Sequence, residues 1–141
     1  LSETGMQLRI EVFGDPAPQG SKKLIRGRIV EASSTKLKAW RKEIASACAA
    51  HKGQQNIFFL GPVTVEATFW MPRPVSVKPE KRPHPIVPPD LDKLARGLLD
   101  GIGQSEVIWG DDSQVINLIV QKRYADHRES GATVLITEYN D

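Results

Sequence analysis

Polar and apolar residues alternate from Gln7 to Val12, with Leu8, Ile10 and Val12 in phase, the period-two pattern of a half-buried strand. Gly14 to Lys23 carries two prolines and two glycines and reads as a loop. Arg28 to Ala32 is a short strand, paired with the segment before it. Ser34 or Thr35 is the expected N-cap of a first helix. Its apolar stripe is Leu37, Trp40, Ile44, Ala47 and Cys48, ending near His51 and Gly53. Val63, Val65, Ala67 and Phe69 mark a strand from Pro62 to Trp70. Met71 to Pro89 is too rich in proline for a helix or a central strand.

Asp90 then opens a second helix with the stripe Leu91, Leu94, Leu98 and Ile102, and Gly101 and Gly103 are expected to end it. Glu106 to Trp109 reads as a short strand or turn. Gln114 to Arg123 holds Val115, Ile116, Leu118, Ile119 and Val120 and is expected at the centre of a sheet. Ala132 to Tyr139 is the last strand. The pattern predicts an α+β (mixed α/β) fold: one small domain, a mixed sheet of about four to five strands, and two main helices packed on it.

The chain has 141 residues, which suits one domain. We assign it to residues 6–141 and read Leu1 to Gly5, ahead of Met6, as an expression-tag remnant. No apolar run approaches the roughly 18 residues of a membrane span. No secretory signal is visible, so the cytoplasm is the expected location. The single cysteine excludes a disulfide framework and a multi-cysteine zinc site. His51, His84 and His127 are scattered, which argues against zinc or a Cys-His dyad.

Net charge is only +2, but its distribution is uneven. Lys22, Lys23, Arg26, Arg28, Lys36, Lys38, Arg41 and Lys42 face only Glu31 between Gly20 and Lys42. Arg73, Lys78, Lys81 and Arg82 add a second basic group. From Gly97 onward, eight acids face three bases. A polyanion held by one half, with an acidic site in the other, fits this asymmetry; so does an ordinary solvated surface.

The candidate chemistry lies in Asp90-Leu91-Asp92 and in Asp111-Asp112, with Lys93 and Arg96 beside the first pair. A turn that folds back would bring Asp112 to the N-terminus of the second helix and assemble three carboxylates. Such carboxylates resist joint ionisation without a cation. Oxygen ligands alone suit Mg²⁺ or Mn²⁺ better than zinc. Arg96 lies one turn after Asp92, and Asp100 one turn after Arg96, so Arg96 is placed to hold a phosphate. Each acid also has an ordinary explanation: Asp90 as a cap, Asp92 as a first-turn acid favoured by the helix dipole, Asp111 and Asp112 as turn residues.

The segments Pro89-Asp-Leu-Asp-Lys-Leu-Ala-Arg-Gly-Leu-Leu-Asp-Gly-Ile and Gly110-Asp-Asp-Ser-Gln-Val resemble the RusA family of Holliday junction resolvases. Pro16-Ala-Pro-Gln-Gly-Ser-Lys-Lys, Trp40-Arg41 and Lys122-Arg123-Tyr124 extend the likeness. The resemblance implies a homodimeric, Mg²⁺-dependent endonuclease, with Mn²⁺ as a substitute, that nicks four-way DNA junctions symmetrically in recombination and repair. Such enzymes are often carried by prophages, so the setting is a bacterial or phage-infected cell, with neither membrane nor small-molecule cofactor.

On matching positions, Asp90, Asp92 and Asp112 become the catalytic, metal-binding acids. Arg96 stands where lysine is common and Lys93 where asparagine is common. Arg96 keeps a cation with a different reach, whereas Lys93 cannot accept a hydrogen bond as asparagine would. Lys22, Lys23, Arg26, Arg28, Lys81, Arg82, Lys93 and Arg96 are the expected DNA contacts. Asp100 and Asp111 are expected to be supporting or structural. A non-catalytic branched-DNA-binding protein and a flap or fork nuclease remain alternatives.

Overall fold

Strand β1 (Gln7–Phe13) buries Leu8, Ile10 and Val12 and turns its alternate residues outward. The computed structural model describes residues 5–19, 22–31 and 34–140, and of residues 22–25, 29–31 and 34 the backbone alone. The expected tag remnant lies, apart from Gly5, outside these. Lys22–Ile25 (β2) and Arg28–Glu31 (β3) form an antiparallel hairpin of their own. Its two turn residues, Arg26 (φ 50) and Gly27 (φ 78), are both left-handed, as a tight hairpin requires.

Helix α1 (Ser34–Gln54) buries Leu37, Trp40, Ile44 and Cys48, the expected stripe. Strand β4 (Val63–Met71) buries every second residue from Val63 to Met71. Helix α2 (Leu91–Ser105), strand β5 (Val115–Tyr124) and strand β6 (Gly131–Glu138) complete the fold. The main sheet has four strands in the order β1-β6-β4-β5. β6 pairs antiparallel with β1 and β4, and β4 pairs parallel with β5. That parallel pair needs a long crossover, which the proline segment and α2 provide. Val12, Val65, Phe69, Val134 and Ile136 meet Trp40, Ile44, Leu94 and Leu98 in one core. Each such side chain stabilises the fold by about 1.5–3 kcal/mol.

Two expectations about elements are corrected. β5 is an edge strand, not a central one. Its apolar run reads as burial on both faces, yet Ile116, Leu118 and Ile119 are 56%, 41% and 53% exposed. Nor do Gly101 and Gly103 end α2, which continues to Ser105 and closes on Glu106 at φ 61. These glycines serve close approach. A Cβ at Gly101 would lie 3.0 Å from Ile44 Cδ1 of α1, and one at Gly97 would lie 3.2 Å from the Ala17 carbonyl oxygen. The glycine face of α2 thus lets α1 and the loop after β1 pack against it.

Candidate active site

Asp90 is the N-cap of α2, with φ −69 and ψ 143, but its side chain makes no capping hydrogen bond. Its carbonyl accepts the first helical bond, from Leu94 N at 3.1 Å. Asp90 and Asp92 are exposed. Asp92, Arg96 and Asp100 follow at one-turn intervals along α2. With Leu91, Ala95 and Leu99, and with Leu118 and Val120 of β5, they line an open groove of about 670 Å³. Asp112 lies in the wall of the same groove.

The groove is long, and Asp112 belongs to its other end. The carboxylate of Asp112 lies against Gly103, where a Cβ would collide with it. Its Oδ1 accepts a hydrogen bond from Trp109 Nε1 at 2.9 Å. Burial raises the Asp112 pKa; the Trp109 bond opposes the shift, while Asp100, by charge and by hydrogen bond, and Asp111 add to it. Asp111 is tied up as a cap: its side chain accepts from Ser113 N at 2.9 Å, and Gln114 Oε1 accepts in return from Asp111 N at 3.0 Å. The Ser113 bonds hold the Asp111 carboxyl below the usual range. Gln114 also donates to the Phe59 and Gly61 carbonyls, both at 2.9 Å, which anchors this corner to the chain before β4.

The expectation that Asp112 folds back onto the N-terminus of α2 is therefore wrong for a single chain. Asp112 pairs with Asp100, eight residues beyond Asp92, which is about 12 Å of helical rise. Among the described residues no three His, Cys, Asp or Glu side chains gather closely enough to hold a metal ion. The all-oxygen donor set suits Mg²⁺ or Mn²⁺, but one chain divides it into Asp90 and Asp92 at one end and Asp100 and Asp112 at the other. The physical reason is that β5 and α2 run side by side, with the start of β5 against the end of α2.

The basic residues are also sorted. Arg26 and Arg28 are exposed at the hairpin, while the side chains of Lys22 and Lys23 lie outside the described residues. Lys81 is exposed. Arg82 is half-buried and donates from Nε to the Tyr124 hydroxyl at 2.8 Å, so it braces the proline loop. Arg96 is exposed on the groove, and Lys93 is half-buried, its carbonyl accepting from Gln19 N at 3.0 Å.

Two residues at this site were not singled out from sequence as site residues. Arg41 of α1 bonds Gln19 and forms an ion pair with Asp100 at 3.4 Å. Lys122 of β5 donates to the Val87 and Pro89 carbonyls, both at 2.8 Å. Both lie in segments that resemble the family, but the residues they meet are distant in sequence. Trp109 is fully buried, and its indole N–H serves Asp112.

A small α+β scaffold thus carries acids and one cation, Arg96, along the groove beside α2. The sequence matches the family described as endodeoxyribonuclease RusA over residues 14–137. The chain thus belongs to the RusA family, whose activity is that of an endodeoxyribonuclease acting on Holliday junctions. It is also 28% identical to protein YqaN of Bacillus subtilis (strain 168), over 93% of this chain and 96% of that one.

Proposed function

We propose that this protein is a Mg²⁺-dependent endonuclease that resolves four-way DNA junctions by paired symmetric nicks, as a homodimer, in the cytoplasm of a bacterial or phage-infected cell. The observation that carries the reading is the pair of exposed acids, Asp90 and Asp92, opening α2 in a chain of this family, the Asp90 side chain making no cap bond. Bound magnesium would polarise the phosphodiester and supply a nucleophile from water. Arg96 neutralises charge on the phosphate, and Lys93 assists at the same helix end. Arg26, Arg28 and Lys81, with Lys22 and Lys23, track phosphates without reading sequence.

Separation of the acids supports a dimer that completes the site. Lys122 holds Pro89 at the C-terminal end of β5, so Asp90 lies beside that end. Asp112 lies just ahead of the N-terminal end. Antiparallel pairing of β5 with its two-fold mate would bring opposite ends together, and the partner subunit's Asp112 with Asp90 and Asp92. The exposed Ile116 and Ile119 suit such a covered edge.

The test is a synthetic, end-labelled four-way junction incubated with protein in Mg²⁺ and in EDTA. Paired symmetric nicks that vanish in EDTA are expected. Asp90→Asn should lower cleavage on the order of 100-fold or more while junction binding persists. A stable complex without cleavage in Mg²⁺ or Mn²⁺, or duplex cut as fast as the junction, would overturn the reading.

A further inference from the structure

Proline has no N–H, so the segment that delivers Asp90 has few donors with which to attach itself to the fold. Its handles are carbonyls, and those need donors from elsewhere. Lys122 supplies them. It sits near the C-terminal end of the edge strand β5, half-buried. Its Nζ donates to Val87 O and to Pro89 O, each at 2.8 Å, so one ammonium clasps both sides of Pro88. Pro89 is the residue immediately before Asp90. Among the described residues Lys122 forms no ion pair with a carboxylate. Its charge is therefore free to polarise the two carbonyls and to favour an anion nearby.

Asp90 depends on this clasp because its own helix does not orient it. Its side chain makes no cap bond. Downstream, its carbonyl is held by Leu94 N at 3.1 Å. Upstream, the Lys122 bond to Pro89 is the corresponding restraint. The earlier part of the loop is held the same way, by Arg73 Nη1 on the Arg82 carbonyl at 2.7 Å. That clamp lies seven residues before Pro89 in the chain, too far to set Asp90 itself.

We infer that Lys122 is a positioning residue: it fixes the backbone before Asp90 against β5 and so sets where the Asp90 carboxylate meets the scissile phosphate. The inference rests on the reading of Asp90 as an active-site acid. Misplacing such a group by about 1 Å is enough to cost on the order of 100-fold in rate. Lys122→Met keeps the length of the side chain and removes all three donors. Lys122→Arg keeps donors. Junction cleavage gives kcat and KM, junction affinity is read in EDTA, and amide hydrogen exchange at Leu94 reports on the start of α2.

For Lys122→Met, kcat should fall about 10- to 100-fold with KM and EDTA affinity within about threefold, and Leu94 exchange should quicken. Lys122→Arg should restore kcat to within about fivefold of the parent. A rise in KM at unchanged kcat would make Lys122 a phosphate contact and overturn the inference. So would unchanged kcat and exchange, or a fall in kcat with Leu94 exchange unmoved. If Lys122→Met does not fold, Lys122→Gln, with one carbonyl still reachable, is read in the same way. If the parent protein cuts no junction, the proposed function fails, and Leu94 exchange alone decides whether Lys122 is the tether.

Discussion

Asp112 and Gly103 form a pair in which one residue has no side chain so that the other can lie flat. Gly103→Ala would place a methyl in the Asp112 carboxylate and force it off the Trp109 indole. The expected outcome is a loss of junction cleavage larger than the loss of thermal stability, read by comparing kcat with the melting temperature. A methyl in solvent-facing helix would instead stabilise, by about 1 kcal/mol, so the sign of the change is informative. Cys48 makes the opposite point. It lies fully buried on the α1 stripe, and burial pushes its thiol up to about 11, against a small lowering by Ser105. At pH 8 it should not react with a thiol reagent until the protein unfolds; labelling at the rate of a free cysteine in native buffer would contradict the packing of α1.

Among the elements, the proline loop is held by a clamp of polar contacts, since it cannot enter a sheet. Arg73 stacks over Tyr124 at 3.9 Å and bonds Asp126 through Nε at 2.7 Å. The Arg73 bond holds the Asp126 carboxyl below its usual range. A depressed folded pKa means stability that is present above the unfolded value of about 3.9 and lost as pH falls through the lower folded value. Limited proteolysis of the loop should thus stay slow at neutral pH and accelerate only below that range. Asp126→Asn should bring the acid behaviour to pH 7. In the packed layer, Leu98→Ala should destabilise by about 2–5 kcal/mol in denaturant unfolding, because Leu98 is wholly buried between α2 and the sheet.

On the scale of the whole molecule, the division of acids between the two ends of α2 makes the proposed dimer testable by mixing. Asp90→Asn and Asp112→Asn are each expected to be inactive alone. Refolded together, they should regain nicking, because one of the two composite sites in a mixed dimer carries neither change. That nicking should be unpaired, since the other site carries both. If each chain held its whole site, the mixture would stay inactive. Ile119→Asp on the β5 edge should yield a monomer by sedimentation and lose cleavage. Binding through phosphate contacts should weaken steeply between low and moderate salt.

The local pattern of residues determined the elements. The period-two run of β1, the apolar stripes of α1 and α2, the proline loop and the carboxylates of Asp90-Leu91-Asp92 are all properties of neighbours in the chain, which sequence displays directly. Tertiary structure decided the rest because it depends on residues far apart. β5 looks central from its apolar run, and only strand order shows it at the edge. Gly101 and Gly103 look like helix stops, and only Ile44 and Asp112 show them to be points of contact. Asp112 looks like a neighbour of Asp90, yet β5 alongside α2 carries it to the opposite end of that helix, against Gly103. Lys122 shows in sequence only as part of Lys122-Arg123-Tyr124; what it holds does not, because its partners are backbone carbonyls, and a carbonyl has the same chemistry in every residue.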